Sequence, residues 1–293
     1  MNPSTVGLIG GRGKMGSWFG RLFEEAGLKV LVSDRDTPLT NREVARQAEV
    51  VIVAVPMEVF PEVVQEIGPE ISPEKGLIDL CSLKAREVAL MLEHTRGEVV
   101  GAHPLFGPYE RGLSGQTVAL CPGRGERWLS WFREFLEVRG ARTVVLSPEE
   151  HDRIMSLVQV LNHFWLVVLG RTLAESGLPV DRVVALATPS FRRQLEILSR
   201  LALQDPELYT TIQFENPLGE ETRRLFWQIA RELSEVLARK ERQTYLQTFK
   251  EVQALAREIG SLLGLSAPEE KEPQTGQNHQ ETEKLSPGHP AEK

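Results

Sequence analysis

Close to its first residue the chain carries an apolar strand that runs directly into a glycine-rich turn, Thr5-Val6-Gly7-Leu8-Ile9-Gly10-Gly11-Arg12-Gly13-Lys14-Met15-Gly16. Apolar residues at helical spacing follow the turn. In this G-x-G-x-x-G spacing we expect Gly11 to make the tight turn, Gly13 to let the backbone approach a pyrophosphate, and Gly16 to allow close helix–strand packing. The helix N-terminus would then point its free amide groups at the phosphates. The pattern predicts a dinucleotide-binding loop whose contacts come from Gly11, Arg12, Gly13, Lys14, Met15 and Gly16.

An acidic residue at the end of the next predicted strand supports this interpretation. Asp34 lies eighteen positions beyond Gly16, close to the spacing of about 20 that such loops show. A carboxylate at this place accepts hydrogen bonds from the adenosine ribose and repels a 2′-phosphate, which favours NAD over NADP. Arg35 could instead hold that phosphate or stack on adenine, so the sequence does not exclude NADP. The alternative is a structural glycine turn beside a solvated acid.

Strands and helices alternate through the first half of the chain. The apolar run Val50–Val55 is typical of a strand covered on both faces, as in a parallel sheet. We therefore predict an α/β, Rossmann-like, doubly wound parallel sheet followed by an all-α helical domain. The predicted strands are Thr5–Ile9, Leu28–Ser33, Val50–Val55, Gly76–Leu80, Val99–Gly101, Thr117–Leu120 and Arg142–Leu146. The helices between them are Met15–Ala26, Asn41–Ala48, Glu58–Ile67, Lys84–Glu93 and Glu126–Val138.

After Ser147 the pattern becomes purely helical. The predicted helices are Asp152–Ala174, Val180–Leu203, Leu218–Lys240 and Gln243–Leu263. We expect three parts: a dinucleotide-binding domain over 1–147, a helical substrate and dimerisation domain over 148–265, and a disordered tail over 266–293. The tail is rich in Pro, Glu, Gln and Lys, and it cannot bury enough apolar surface to offset its ordering entropy.

Length and composition limit the class of protein. A chain of 293 residues exceeds a single ordinary core, and a net charge of −7 argues against nucleic-acid binding. Two cysteines, Cys81 and Cys121, suit a reducing cytoplasm. The apolar segment Ile154–Leu169 is interrupted by polar residues, so we expect neither a membrane span nor, from the first residues, a signal peptide. No cluster of residues suggests a metal site.

Three stretches offer residues for chemistry at a dinucleotide site. Ser82 and His103 follow predicted strands, at the sheet edge where such folds bind ligands; His163 lies in an apolar helix. Each has a plainer explanation: Ser82 could cap a helix, and His163 could be a core histidine. His103, in a loop with Pro104, is harder to explain that way. We expect His94 and His151 to be surface residues near helix ends and Cys81 to be a small packed residue.

Several motifs in order resemble the prephenate dehydrogenases, and most closely the dehydrogenase part of bifunctional chorismate mutase–prephenate dehydrogenases. The resemblance covers roughly residues 5–260, at compatible spacing. The motifs are Gly-Gly-Arg-Gly-Lys-Met-Gly (10–16), Asp-Leu-Cys-Ser-Leu-Lys (79–84), His-Pro-Leu-Phe-Gly-Pro (103–108), Glu-His-Asp (150–152), Gln159 with His163-Phe164, Thr188-Pro189-Ser190-Phe191-Arg192, and Leu203-Gln204-Asp205-Pro206-Glu207-Leu208-Tyr209.

This resemblance implies the NAD-dependent oxidative decarboxylation of prephenate to 4-hydroxyphenylpyruvate, a step of tyrosine biosynthesis. His103 matches the family's catalytic histidine, which takes the proton of the ring hydroxyl as hydride leaves the same carbon. Ser82 matches a residue that hydrogen-bonds near that hydroxyl. The matches for binding the dianionic substrate are Arg192, which grips a carboxylate, His163, which contacts the pyruvyl side chain, Lys84, which contributes charge, and Gln159, which lines the pocket.

Other functions stay open at this point. The loop after His103, Phe106-Gly107-Pro108-Tyr109-Glu110, differs from the His-Pro-Met-Ala-Gly-Thr-Glu of many monofunctional relatives. The same chemistry on arogenate or on 4-amino-4-deoxyprephenate is therefore an alternative. A more remote one is a dinucleotide-binding regulator that lost its chemistry. A homodimer built through the helical part is expected, because the apolar run 164–169 predicts a large buried helix.

Overall fold

The structure, a computed structural model, describes residues 3–265 of the chain. The predicted disordered tail over 266–293 lies outside the described residues. The described chain divides into two compact units by its internal contacts, one ending at Ile229 and the other beginning at Ala230. The proposed division of function at residues 147 and 148 stays a prediction; the sheet ends just before it, at Val145.

Seven strands of the described residues form a single sheet with the order β2-β1-β3-β4-β5-β6-β7. The predicted parallel sheet is confirmed for β1 to β5, whereas β6 runs antiparallel to β5 and β7 runs parallel to β6. The physical reason is that no crossover helix separates β5 from β6, and a parallel pairing needs one. The strands are β1 (Thr5–Ile9), β2 (Lys29–Ser33), β3 (Val50–Val53), β4 (Gly76–Asp79), β5 (Glu98–Pro104), β6 (Thr117–Arg124) and β7 (Arg142–Val145).

Helices cover both faces of this sheet. Two buried apolar clusters result, one beneath α2, α3 and α4 and the other beneath α1 and α5. All four residues of β3, Val50–Val53, are fully buried between them, which explains their near-continuous apolar character. The predicted Rossmann-like architecture is confirmed. The helices are α1 (Lys14–Glu25), α2 (Asn41–Gln47), α3 (Phe60–Ile67), α4 (Ala85–His94) and α5 (Arg127–Glu137).

The chain after β7 is helical, as predicted, with two differences. The helix predicted over 180–203 is interrupted, because Pro189 starts a new helix and Thr188 caps it through the amide of Phe191. A further helix over Pro206–Glu215 was not predicted. The helices are α6 (Pro148–Met155), α7 (Asn162–Glu175), α8 (Val180–Ala185), α9 (Pro189–Ser199), α10 (Pro206–Glu215), α11 (Gly219–Ala238) and α12 (Arg242–Leu262), with a π-helical segment over Ser156–Leu161 and a 3₁₀ turn over Arg200–Leu203.

The continuous helical run Pro148–Glu175 is long and apolar enough, by length and composition alone, to cross a membrane. This differs from the expectation based on residues 154–169. The core helix of a soluble protein meets the same criterion, and the first part of this run is a core helix: His151, Asp152 and Met155 are buried within the protein.

Candidate active site

The glycine-rich turn joins β1 to α1 as the motif predicts, but the glycine that makes the tight turn is a different one. Gly10, not Gly11, has the left-handed backbone conformation, with φ of 75°. A Cβ on Gly11 would lie 2.7 Å from a methyl group of Val32 on β2, so Gly11 is required for packing. The amide groups of Gly10 and Gly11 both donate to the carbonyl of Ser33, at 2.8 and 3.3 Å.

The start of α1 lies against this turn. A Cβ on Gly16 would come within 2.2 Å of the carbonyl oxygen of Gly10, so only glycine permits this approach, as predicted. Gly13 is the N-cap of α1, and its neighbours Arg12 and Lys14 are exposed. An exposed helix N-terminus with free amide groups, two cations and no side chain at position 13 fits a pyrophosphate.

Asp34 lies at the rim of this loop, at the end of β2. One of its carboxylate oxygens accepts from the amide of Arg12 at 2.9 Å, and the other accepts from the amide of Arg35 at 2.8 Å. The carboxylate therefore stands beside the phosphate loop, where a ribose hydroxyl could donate to it.

His103 is the centre of a buried network at the end of β5. Its side chain is 3% exposed, and its Nδ1 lies 2.9 Å from Nε2 of His151. Nδ1 of His151 in turn lies 2.8 Å from Oδ1 of Asp152. The expectation that His151 is a surface residue is wrong, because α6 packs against the sheet and buries it fully. The Glu-His-Asp motif at 150–152 was the signal that could have identified both residues.

Asp152 also holds the beginning of α4. Its two carboxylate oxygens accept from the backbone amides of Lys84 and Ala85, each at 2.9 Å. These are amides that the helix itself leaves unsatisfied. The carboxylate therefore has a fixed orientation, and it links the loop after β4 to the histidine pair.

Gln159 and His163 complete the network from the helical half. The π-helical segment brings the side-chain Nε2 of Gln159 to 3.4 Å from Nε2 of His103. Such segments are frequent at functional sites. His163, four residues on, stacks on Tyr209 with ring centroids 4.0 Å apart. Oε1 of Gln159 and Nδ1 of His163 are buried without a hydrogen-bond partner among the described residues, so each is available to a ligand.

Burial determines the charge of both histidines. It lowers the pKa of His103 well below the ordinary value, and His151 and the ammonium of Lys84 lower it further. Burial also lowers the pKa of His163 to about 4. Both rings are neutral near pH 7, and a neutral imidazole can accept a proton.

Lys84, predicted to contribute charge to substrate binding, is engaged within the protein. Its side chain is fully buried, and its ammonium pairs with Asp79 and donates to the carbonyl of Ala102 at 2.9 Å. Burial works against this charge, but Asp79 and the other anionic neighbours outweigh it and raise the pKa of Lys84. The ion pair ties the loop after β4 to the residue preceding His103. Lys84 therefore stabilises the backbone next to His103.

The structure places two further predicted residues, Ser82 and Arg192, without a hydrogen bond to the histidine network. Ser82 is half-buried in the loop after β4, two residues before Lys84. Arg192 is exposed, and its guanidinium donates to the carbonyl of Val184 at 3.2 Å rather than to a member of the histidine network. The sequence motifs do not point to Arg200, whose charge acts on Tyr209, the ring stacked on His163. It is a second candidate for binding a carboxylate.

The loop that follows His103 packs against α1. The indole N–H of Trp18 donates to the carbonyl of Glu110 at 2.8 Å, and the ring of Trp18 lies 5.2 Å from that of Phe106. These contacts join the helix that begins at the phosphate loop to the loop that follows the strand carrying His103.

Two family models match the chain. One, described as the nucleotide-binding domain of prephenate dehydrogenase, matches residues 24–162; the other, its dimerization domain, matches residues 147–251. The first match begins beyond Gly16, so the phosphate loop is assigned from its own geometry. Together the two domains of this one family span residues 24–251.

Individual proteins agree with these models. The probable arogenate/prephenate dehydrogenase of Methanocaldococcus jannaschii is 34% identical in an alignment of 276 residues that covers 88% of this chain and 61% of that protein. The T-protein of Enterobacter agglomerans is 32% identical over 248 residues, which are 85% and 66% of the two chains. The chain thus spans about two thirds or less of the length of these curated relatives.

The fold is shared with solved structures as well. The crystal structure of prephenate dehydrogenase from Aquifex aeolicus, in complex with hydroxyphenyl propionate and NAD+, superimposes with a TM-score of 0.70 at 21% identity. The match covers 88% of this chain and 99% of that one. The two proteins therefore share a fold over most of both chains.

Proposed function

Because this chain belongs to the prephenate dehydrogenase family, we propose that it oxidises prephenate with NAD to 4-hydroxyphenylpyruvate and carbon dioxide. The observation that carries the proposal is the neutral, buried His103 at the carboxyl end of β5. β1 and β5 point in the same direction in the sheet, so His103 and the phosphate loop lie at the same edge. Ligands of such folds bind there.

Each residue of the site has its own part in the reaction. Bound NAD supplies the hydride acceptor. His103 takes the hydroxyl proton at Nε2 while hydride leaves the same ring carbon. The dienone formed in this way loses carbon dioxide, and His103 returns its proton to the phenolate oxygen. The amide of Gln159, 3.4 Å from Nε2 of His103, stands where the substrate hydroxyl must bind, so we expect it to turn aside and contact the substrate.

Asp34 supports NAD as the cofactor. Its carboxylate lies beside the amide of Arg12, and a 2′-phosphate at this position would meet its negative charge. A ribose hydroxyl would instead donate to it. Ser82, Arg192 and His163 keep the roles that the family resemblance gives them: a hydrogen bond near the reacting hydroxyl, the grip on a carboxylate, and a contact with the pyruvyl side chain.

The choice of prephenate over arogenate has a chemical basis. Arogenate carries an ammonium where prephenate has a keto group, and a buried ammonium needs an anionic partner. Gln159 and His163 offer a neutral amide oxygen and a neutral imidazole nitrogen. Neither group carries the negative charge that an ammonium requires, and each can present an N–H to the keto oxygen, Gln159 once its amide turns over. They do not distinguish a ring hydroxyl from the ring amine of 4-amino-4-deoxyprephenate.

We also expect a cytoplasmic homodimer. The matched dimerization domain supports self-association, and α12 offers a surface for it. Tyr245, Phe249, Val252 and Ile259 repeat at spacings of four, three and seven residues, and all are exposed. This spacing is that of helices packing along a common seam.

A substrate panel tests the proposal. Purified protein is incubated with prephenate, arogenate or 4-amino-4-deoxyprephenate, each with NAD and with NADP, while the reduced cofactor is followed by absorbance. We expect turnover with prephenate and NAD, at a kcat/KM at least about tenfold above that of any other pair. Turnover of the amino analogue without turnover of prephenate would assign the enzyme to the alternative substrate.

A further inference from the structure

Asp152, His151 and His103 form a hydrogen-bonded row, and Asp152 determines which group is the donor in each of its bonds. Asp152 already accepts hydrogen bonds from the amides of Lys84 and Ala85. An ionised carboxylate accepts hydrogen bonds and donates none. Nδ1 of His151, 2.8 Å from Oδ1 of Asp152, must therefore carry a proton to form the bond.

This proton fixes the state of the next ring. A neutral imidazole has one protonated nitrogen, so Nε2 of His151 carries a lone pair. That lone pair faces Nδ1 of His103 at 2.9 Å, so His103 is the donor of this bond. Its own proton is then on Nδ1, and its Nε2 is left free as an acceptor. The amide N–H of Gln159 points at this nitrogen, as the assignment requires.

We infer that His151, oriented by Asp152, is a positioning residue that holds His103 in the tautomer with an unprotonated Nε2. The inference rests on the proposed function only in making Nε2 of His103 the base. The same row also stabilises the cation formed during the reaction. When His103 takes a proton its positive charge is buried, and a hydrogen-bonded path to the Asp152 carboxylate offsets the cost of burial.

Without an acceptor at position 151 the other tautomer is favoured. Nδ1–H of His103 would then be a buried donor with no partner, which is costly. A proton on Nε2 could instead be donated to Oε1 of Gln159, once its amide turns over; that oxygen has no partner in the structure. His103 would then present a proton to the substrate hydroxyl and could not accept one.

Three variants separate this positioning role from a merely structural one. His151→Leu removes the acceptor at similar volume. His151→Gln retains an amide oxygen that can accept from Nδ1–H of His103. His94→Leu makes the same substitution at a half-buried histidine on α4, outside the network. Nitrogen-15 NMR of histidine-labelled protein shows which ring nitrogen is protonated, and loss of the signal in His103→Asn assigns it to His103.

We expect Nδ1–H at His103 in the wild type, in His151→Gln and in His94→Leu, and Nε2–H in His151→Leu. His151→Leu should lower kcat by about 10²–10⁴-fold without changing the KM for NAD, since the wrong tautomer removes the base. His151→Gln should recover to within about tenfold of wild type. Nε2–H in the wild type, or Nδ1–H retained in His151→Leu, would overturn the inference. The NMR measurement needs no substrate, so its result is independent of the proposed function.

Discussion

At the scale of single residues, the proposed chemistry depends on the imidazole of His103. It is buried at the end of β5, where burial, His151 and Lys84 keep its pKa well below the ordinary value. The His103→Asn variant removes the base and leaves the phosphate loop untouched. We expect turnover of prephenate to fall by about 10²–10⁴-fold, with the NAD dissociation constant unchanged in a fluorescence titration. A variant with wild-type turnover would mean that another group is the base.

Glu87 gives a prediction about stability and pH. Its side chain on α4 is 1% exposed and one oxygen has no partner among the described residues. Burial, together with Asp79, raises its pKa from 4.5 to about 7. A group whose pKa is raised by folding contributes its stability fully below the unfolded pKa, and this contribution is lost as the pH rises through the folded pKa. For Glu87 the window runs from 4.5 to about 7.

The Glu87→Gln variant should therefore gain stability relative to wild type as the pH rises. Between about pH 5 and about pH 8 we expect the difference in unfolding free energy to change by at most about 3 kcal/mol in the variant's favour. Urea denaturation at the two pH values measures it. A difference that does not change with pH would show that Glu87 is ionised in the folded protein.

The sequence located some single residues of the site and missed others. The motifs located His103, Gln159 and His163, and the structure brings the first two together. They did not predict the buried pairing of Lys84, because a lysine in a loop gives no local sign that a buried Asp79 will pair with it. His151 was missed for a similar reason: its burial depends on the packing of α6 against the sheet, which is a long-range contact.

At the scale of elements, the contact between α1 and the phosphate loop depends on Gly16. A Cβ there would meet the backbone carbonyl of Gly10 at 2.2 Å, and backbone cannot move aside as a side chain can. We expect Gly16→Ala to weaken NAD binding by about tenfold or more, because the helix N-terminus must shift. Isothermal titration with NAD measures this directly.

Gly20→Ala is the matched control on the same helix. Its Cβ would meet only the end of the Leu8 side chain, at 3.1 Å, so NAD should bind within about threefold of wild type. Equal losses in both variants would show that helix packing in general, rather than the contact with Gly10, limits binding.

Elements were predicted well wherever local pattern decides them. The strands β1 to β5 follow from apolar runs between turns, and the glycine motif places α1. The antiparallel direction of β6 was available from the sequence, because no helix is predicted between Gly101 and Thr117 and a parallel pairing needs a crossover connection. The break in the helix predicted over 180–203 was available from Pro189, whose ring cannot continue a helix interior.

At the scale of the whole molecule, the exposed seam of α12 predicts association. Phe249 is 53% exposed in the single chain, which is unusual for a residue in a regular apolar row. Phe249→Glu places a charge in the seam, and we expect it to weaken dimerisation by about 100-fold or more. Gln243→Glu adds the same charge on the opposite side of the helix and should leave the dimer intact. Sedimentation equilibrium distinguishes dimer from monomer; a dimer in both variants would place the interface elsewhere.

The claim that this chain oxidises and decarboxylates prephenate is tested most directly by the stoichiometry of its products. Purified protein is given NAD and prephenate, and NADH, 4-hydroxyphenylpyruvate and carbon dioxide are quantified in the same reaction. We expect equimolar amounts of all three, with formation almost abolished in His103→Asn. NADH without carbon dioxide, or no NADH from prephenate at all, would contradict it.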